Sequence, residues 1–462
     1  MNKLYSHSQP KFRSVAATFL ALFLLICHPY PTYGQETNEP NIQSELVAGN
    51  SEFAFDLYHT IRESDENLFY SPYSISTALA MTYVGARGNT EQQMANILHY
   101  NLSQEQLHPA FKNLSADLTQ QISSTEPVSF TLNVANSLWP QAGYPFRAAF
   151  LDTVAENYGS GIQEVDYVDD AKREEARVAI NEWSSEHTRG KIPEPVAASV
   201  LTDLTRLVLA NATYFRAEWV EHFDETDPRQ FVRLDGSTVV APMMSAQRYF
   251  DYVDGEGYQA LALPYKGDRS QMIVLLPDPG QFSTIETELN PAFLSQVMEQ
   301  FASKEMYLIT PKFTYKTKLD LKATLQTMGM TDAFSEERAD FSSMSDEDEK
   351  LHISALGHDA FISVDEKGTE AAAVTAVTIG GTSAPNFCVA LDRPFIFLIH
   401  DMVTDSILFV GRVLNPVTDN DAEEMSVTAG GFDDCFTDVS QMTESTSISD
   451  NTTYVFLPVV NQ

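Results

Sequence analysis

Residues 364–385 read VDEKGTEAAAVTAVTIGGTSAP, a polar turn followed by a run of small and β-branched side chains. No bulky side chain follows the turn until Ile379. Alternate residues from Thr369 to Ile379 form a face that is small or β-branched throughout, which a closed sheet can accept between two strands. The opposite face starts at Glu370 and would point outward. Alanine-rich runs also favour helix, so this stretch by itself leaves both structures open.

The composition is that of a strongly acidic globular protein. Of the 462 residues, 43% are hydrophobic, which is enough for a large core and excludes global disorder. The formal net charge is -35, from 64 acidic and 29 basic residues. A field of this sign repels nucleic acids and anionic membrane surfaces, so neither is expected as a partner, and it argues against a heparin-like activator.

The N-terminus has the order of a secretory signal peptide. Three basic residues precede an apolar run over residues 15–27, and the small residue Gly34 follows. The run is too short for a comfortable membrane span. We therefore predict a signal peptide at 1–34, a flexible segment at 35–44, and a protein that is secreted to the extracellular space, or to the periplasm of a Gram-negative bacterium.

Two helices are predicted next. Phe53, Leu57 and Ile61 recur at a four-residue spacing, which marks one face of a helix. A second helix is predicted to start after Ser71, because serine is a good N-cap and Pro72 loses no needed hydrogen bond at the first helical position. The following side chains are small or apolar on nearly every side, so this helix should run buried beneath a sheet.

The segment at 67–90, NLFYSPYSISTALAMTYVGARGNT, resembles the second helix of the serpins, a family of serine protease inhibitors. Further segments agree with that family in the same order. They are the alternating strand 131–139, the helical stripe of Ala176, Ile180 and Trp183, the strand 207–219, which we expect to be buried, the core strand 272–277, the segment 311–330, and the hydrophobic hairpin 393–416. The resemblance covers residues 45–416. It implies an α+β serpin fold with a large mixed β-sheet, further sheets, about eight or nine helices and an exposed reactive-centre loop.

Beyond this domain the composition changes. Residues 417–462 are acidic and rich in serine and threonine, and no lysine or arginine follows Arg412, which predicts a disordered tail. Cys435 lies in the tail, and only Cys388 would remain beside it after signal cleavage. A disulfide between the two is possible, but the fold does not require it.

Enzyme motifs are missing from the sequence. It contains neither a G-x-S-x-G elbow nor an H-E-x-x-H helix, and Cys388 has no obvious histidine partner in sequence. Gly380 and Gly381 suggest a nucleophile loop, but glycine-rich segments are mostly just flexible. We therefore predict a protein that is not an enzyme and that uses no metal and no cofactor.

The resemblance implies a mechanical function for the opening stretch. Serpins offer a protease the bond of a strained loop, and after acylation the loop inserts into the main sheet as a new strand, a standard example of strain release. Family members that lost inhibition often carry bulky, charged or proline residues in the hinge of this loop. The residues that match the inhibitory hinge here are Glu366, Gly368, Thr369, Glu370, Ala371, Ala372 and Ala373.

The reactive bond is placed by counting. Counting forward from the hinge glycine gives Thr382 and Ser383, whereas counting back from the closing hairpin gives Ser383 and Ala384. We favour the first, because the length on the hinge side controls insertion. Ile379, Gly381 and Thr382 are then the specificity residues. A small residue before the bond disfavours a trypsin-like target and favours elastase-like or subtilisin-like enzymes, while a papain-like target stays open.

The resemblance also implies residues that control the sheet. By position they are Ser71, Ser74, Asn211 and His358 in a polar cluster beneath the sheet, Trp219 where the loop first enters, and Lys312, which pairs with Glu366. A buried serine, asparagine or histidine is more often an ordinary hydrogen-bonded core residue than a switch. These positions are therefore predicted as structural control.

The function implied is that of a secreted, monomeric, single-use covalent trap for an extracellular serine protease with a small-residue preference. The alternative from another class is a non-inhibitory serpin-fold protein that acts as a binding carrier or chaperone.

Overall fold

A computed structural model describes residues 42–63, 65–119, 130–159, 161–347, 350–369 and 387–417. These ranges hold nine α-helices and one short 3-10 helix at Asp332–Phe334. The α-helices are α1 (Ile42–Ile61), α2 (Pro72–Tyr83), α3 (Gly88–Leu98), α4 (Gln104–Thr119), α5 (Ala148–Tyr158), α6 (Asp170–His187), α7 (Phe282–Glu288), α8 (Pro291–Glu299) and α9 (Leu321–Met328).

Fifteen strands are described in the same ranges. They are β1 (Leu68–Tyr70), β2 (Phe130–Pro140), β3 (Gly161–Ile162), β4 (Leu207–Glu218), β5 (Asp224–Val232), β6 (Thr238–Gly255), β7 (Tyr258–Pro264), β8 (Ser270–Pro277), β9 (Ala302–Pro311), β10 (Phe313–Asp320), β11 (Gly357–Asp365), β12 (Gly368–Thr369), β13 (Cys388–Ala390), β14 (Phe395–Asp401) and β15 (Ser406–Val413).

The strands form two sheets. The six-stranded sheet, which we call the main sheet, has the order β10-β11-β12-β4-β2-β3, and its β2–β3 pair is parallel. The nine-stranded sheet has the order β1-β15-β14-β8-β7-β6-β9-β13, with β5 paired to β6. Both the mixed main sheet and the antiparallel hairpin of β14 and β15 agree with the predicted α+β fold, which is confirmed.

Helix α2 has the predicted start and the predicted environment. The Oγ of Ser71 accepts a hydrogen bond from the backbone N–H of Ser74 at 3.1 Å, and Pro72 occupies the first helical position. Every residue of the helix except Ala78 is buried. The helix packs against β4 and β15, so it lies between the two sheets as its apolar surface requires.

Helix α6 lies against β2 and β4 of the main sheet through a small hydrophobic cluster of its own. Ala176 and Ile180 of α6 are buried, and Trp183 packs at the edge of the cluster. The remaining core of this cluster is Trp139, Tyr167 and Leu201. The predicted helical stripe thus does pack onto the sheet, but as a cluster separate from the main core.

Two expectations need correction. Helix α1 begins at Ile42, so residues 42–44 are helical and do not belong to a flexible segment; Leu46 and Val47 are already buried in this helix. Strand β4 was expected to be buried, but its first five residues are only half-buried. The reason is that neither face of the strand is fully covered there: Leu207 and Leu209 pack only partly against the main core, and Val208 and Ala210 only partly against the cluster below α6.

None of the helices in the described part of the chain is both long and apolar enough to cross a membrane.

His108 on α4 is a buried histidine beside a tyrosine hydroxyl. Its Nδ1 lies 2.7 Å from the hydroxyl of Tyr158, and the residue is 4% exposed. Burial, together with the positive charge of Arg87, lowers the pKa of His108 to about 4. Below the ordinary pKa of histidine the unfolded chain therefore binds a proton that the folded protein resists.

We predict that stability falls as the pH drops from about 6.5 towards 4, with His108 contributing at most about 1.4 kcal/mol per pH unit. Replacing His108→Gln should make this loss shallower, as measured by denaturant unfolding at several pH values. The control is the same pair of proteins at pH 8, where histidine is neutral in both states. Equal slopes in the two proteins between pH 6.5 and 4 would contradict the prediction.

Candidate functional site

The hinge strand, β12, places the start of the predicted hinge inside the main sheet. Gly368 and Thr369 pair with Asp365 and Val364 of β11 on one side. On the other side the same two residues pair with the last two residues of β4. Among the described residues, β12 is what joins β4 to β11. The sheet thus already holds two residues of the stretch that we expected to insert only after cleavage.

Gly368 is required here by a close approach of the backbone. A Cβ atom at this position would lie 2.0 Å from the carbonyl oxygen of Ala217. The turn before it is closed by Asp365, whose Oδ1 accepts hydrogen bonds from the N–H groups of Lys367 at 2.8 Å and Gly368 at 3.2 Å. Burial raises the pKa of this carboxyl group, although the two backbone hydrogen bonds oppose the shift.

Trp219 holds the same turn from the side of β4. It is completely buried, its backbone N–H donates to the carbonyl of Lys367 at 2.8 Å, and its indole Nε1 donates to the carbonyl of Asp365 at 3.0 Å. The indole stacks on the ring of Tyr265, with centroids 4.5 Å apart and planes at 8°. Trp219 therefore lies at the turn that leads into β12.

An ion pair closes this end of the main sheet. The Nζ of Lys312 lies 2.7 Å from Oε1 of Glu366 and 3.4 Å from Oε1 of Glu225. Burial acts to lower the pKa of Lys312, but the hydrogen bond and charge of Glu366 outweigh it and raise the pKa overall. Because both partners of the Lys312–Glu366 pair are about one quarter exposed, solvent weakens the attraction.

The predicted polar cluster of Ser71, Ser74, Asn211 and His358 lies farther along the main sheet and is connected by hydrogen bonds. The backbone N–H of Ser71 donates to Nε2 of His358 at 3.1 Å, and Ser74 Oγ donates to Oδ1 of Asn211. Burial lowers the pKa of His358 to about 4, so its Nε2 is an acceptor at neutral pH. The cluster thereby ties α2 to both β4 and β11.

One member of this network is not among the residues predicted from the sequence. The Nδ2 of Asn211 donates to Oδ1 of Asn136 at 2.7 Å, and the two residues are directly opposite in the register of β2 and β4. The signal in the sequence was Asn136 itself, a polar side chain at a position in the strand where the alternation predicts an apolar one. Asn136 extends the network to a third strand of the main sheet.

A cavity of about 90 Å³ lies beside the polar cluster, between β4 and β11 and below α6. Its lining includes Ser74, Asn211 and His358 together with Thr188 from the end of α6. The gap between β4 and β11 is thus occupied by β12 at one end and bordered by polar side chains farther along. This arrangement can receive a strand; it does not assemble a nucleophile with a base.

Several predicted site residues lie outside the described residues. They are Glu370, Ala371, Ala372, Ala373, Ile379, Gly381, Thr382, Ser383 and Ala384. Cys388 lies within the described residues and is disulfide-bonded. The other two cysteines of the chain, Cys27 and Cys435, lie outside the described residues, and so does the partner of Cys388. Within the described ranges, no group of three or more histidine, cysteine or acidic residues is placed to hold a metal ion.

We predict that Gly368→Ala expels β12 from the main sheet, because the added methyl group collides with the backbone of β4. The measurement is tryptophan fluorescence, since Trp219 contacts the turn, combined with hydrogen exchange of Thr369. Gly357→Ala on β11 is the matched control, because its Cβ would have only an ordinary contact at 3.8 Å. Emission and exchange in Gly368→Ala equal to those of the control would contradict this account.

Comparison with known proteins agrees with the fold. Residues 48–416 match the family model described as serpin (serine protease inhibitor). A serpin-like protein of Thermococcus kodakarensis is 38% identical over 392 residues, which are 84% of this chain and 89% of that protein. The leukocyte elastase inhibitor of Sus scrofa is 37% identical over 386 residues, which cover 80% of this chain and 100% of that inhibitor.

The fold is also similar to that of a solved structure, human thyroxine-binding globulin in complex with thyroxine. The TM-score is 0.72 and the identity 29%, with 82% of this chain and 100% of the globulin covered. The family model spans most of the chain, and the two relatives align over most of their own length. This chain therefore belongs to the serpin family of serine protease inhibitors.

Proposed function

We propose that the protein is an inhibitor that traps a serine protease covalently by inserting its cleaved reactive loop into the main sheet. The observation that carries the proposal is the hinge strand β12, which already lies between β4 and β11 with Thr369 2% exposed. From Ala371 to Thr382 the residues that follow it are small or β-branched, and none is charged. Nothing in that composition opposes further insertion.

The energetics support insertion as a driving force. From Gly368 to Thr382 an extended strand spans roughly 50 Å, enough to carry an attached protease from one end of a domain to the other. Each new ladder hydrogen bond is worth about 0.5–1.5 kcal/mol net, so a strand bonded on both sides gains on the order of ten kcal/mol or more. This gain is comparable with the whole stability of an ordinary domain.

The presence of β12 in the main sheet lowers the barrier to insertion of the cleaved loop. Two residues are already in register with both neighbours, so each further residue adds hydrogen bonds next to an existing pair. The entropic cost of first bringing the loop to the sheet is absent. Insertion then proceeds by extension of β12.

The target that we propose is an elastase-like or subtilisin-like protease. The support is the small residue Thr382 before the proposed reactive bond with Ser383, with no basic or aromatic residue nearby. One relative over the whole serpin domain is named a leukocyte elastase inhibitor. The signal-like order of residues 1–34 is compatible with a target outside the cell.

A carrier function is the second candidate. A cavity of about 220 Å³ lies between α1, α8 and the β14–β15 hairpin, lined by Val47, Leu294, Met298 and His400 among others. The similar globulin structure contains thyroxine, a small amphipathic ligand. If this protein traps a protease, the inhibitor function is favoured. If proteases only cleave it and it binds a ligand such as thyroxine, the carrier function is favoured.

We predict that elastase or subtilisin forms a covalent complex with the protein that survives a denaturing gel. Ala371→Arg should abolish the complex but leave cleavage intact, because insertion would bury an unpaired charge on the inner face of the strand. Ala372→Arg, which would point to the outer face, is the matched control and should still trap. If only cleaved protein appears with every protease in a panel, the inhibitor function is wrong.

Cleavage of the loop should also raise the melting temperature, by roughly tens of degrees, because the released strand adds its ladder to the main sheet. The measurement is calorimetry or circular dichroism before and after limited proteolysis. Cleaved Ala371→Arg serves as the comparison and should gain much less. An unchanged melting curve for the cleaved native sequence would rule out insertion.

A further inference from the structure

Tyr265 makes a buried contact with the hinge that no local feature of the sequence indicates. Its hydroxyl lies 2.6 Å from Oγ1 of Thr369, across a sequence separation of 104 residues. Tyr265 is fully buried and Thr369 is 2% exposed, so solvent does not compete for this hydrogen bond. A hydrogen bond in this environment is strongly specified, because either hydroxyl left alone would be buried without a partner.

The ring of Tyr265 is held rigidly. One face stacks on Trp219, and the edge of the ring meets Phe215 at a centroid distance of 5.4 Å and an angle of 70°. Its backbone N–H donates to the carbonyl of Ser270 at 3.0 Å, and Tyr265 forms an isolated bridge with Trp219. The hydroxyl of Tyr265 therefore has a fixed position, and the hinge must bring Oγ1 of Thr369 to it.

The phenol stays neutral throughout the physiological range. Burial raises the pKa of Tyr265 well above its ordinary value, although the hydrogen bond with Thr369 acts in the opposite direction. The hydroxyl can accordingly donate to Thr369 or accept from it at any pH at which the protein works.

The contact bears on the register of the inserting strand. Side chains in a strand alternate between faces, and a slip of one residue exchanges the two faces completely. With Thr369 turned inward to Tyr265, strand alternation would bring Ala371 and Ala373 to the core face as β12 extends. A slip by one residue would instead turn the carboxylate of Glu370 inward, where burial is unfavourable.

We propose that Tyr265 is a positioning residue whose hydroxyl sets the register of the inserting loop through Thr369, and so decides how often a cleaved molecule traps its protease. This inference rests on the proposed inhibitory function. When β12 is held in register, the loop inserts before the acyl bond is hydrolysed. When β12 slips out of register, its extension stalls, and the protease is released with a cleaved and spent inhibitor.

The experiment measures the number of inhibitor molecules consumed per molecule of protease trapped, with elastase or subtilisin as the probe. Tyr265→Phe and Thr369→Val should each raise this number roughly fivefold, as expected for the loss of one buried hydrogen bond. Thr369→Ser keeps the hydroxyl and should behave as the native sequence. The first cleavage of the loop should be equally fast in all variants.

Two controls separate positioning from stability. Tyr100→Phe removes a comparable buried hydroxyl, which donates to the carbonyl of Ser76 at 2.6 Å, and should leave the ratio unchanged. The double variant Tyr265→Phe with Thr369→Val leaves neither hydroxyl unpartnered, and it should stay as impaired as each single variant. A double variant that returns to the native ratio would show that only an unsatisfied hydroxyl mattered, and would overturn the proposal.

The outcomes separate the role of Tyr265 from the inhibitory function on which that role depends. If the native protein forms no complex, the inhibitory function fails and the inference fails with it. If the native protein traps its protease and Tyr265→Phe traps equally well per molecule consumed, the function stands and the role of Tyr265 is wrong.

Discussion

The pairing of Gly368 and Thr369 between β4 and β11 is the constraint on which the rest of the site depends. It joins the two halves of the main sheet at the end where the reactive loop begins. The pairing requires a residue without a Cβ at its first position, because the backbone of Ala217 approaches too closely for any other. Trp219, Asp365 and the Lys312–Glu366 ion pair all act on the turn that delivers these two residues.

The main sheet is controlled at two separate places. At the loop end the contacts are a stacked aromatic pair and an ion pair, whereas farther along a neutral network runs from α2 through Asn211 to Asn136. The network has no charge to desolvate, since burial keeps His358 neutral at physiological pH. Helix α6 lies over the gap and packs on the sheet through a hydrophobic cluster that is separate from the main core.

Much of the fold was predictable, because its signals are local. The capped start of α2, the alternation in β2, the stripe on α6 and the closing hairpin are each decided within about 20 residues by periodicity and turn chemistry. The predicted flexible segment overlaps the first three residues of α1, since polar residues in a first helical turn resemble a flexible segment. In the site, Lys312 was placed beside Glu366 by resemblance, but Asn136 and Tyr265 were not found, because their partners are distant in the chain.

The sequence alone determined that this chain carries a small, uncharged stretch suited to become a strand, within a domain whose local patterns recur in one family. That follows from side-chain size and period, which are properties of neighbouring residues. Only the tertiary structure decided that two residues of the stretch, Gly368 and Thr369, already lie in the sheet, and that the hydroxyl of Tyr265 forms a hydrogen bond with Thr369. Those facts depend on how segments more than a hundred residues apart meet, and no local pattern encodes such a meeting.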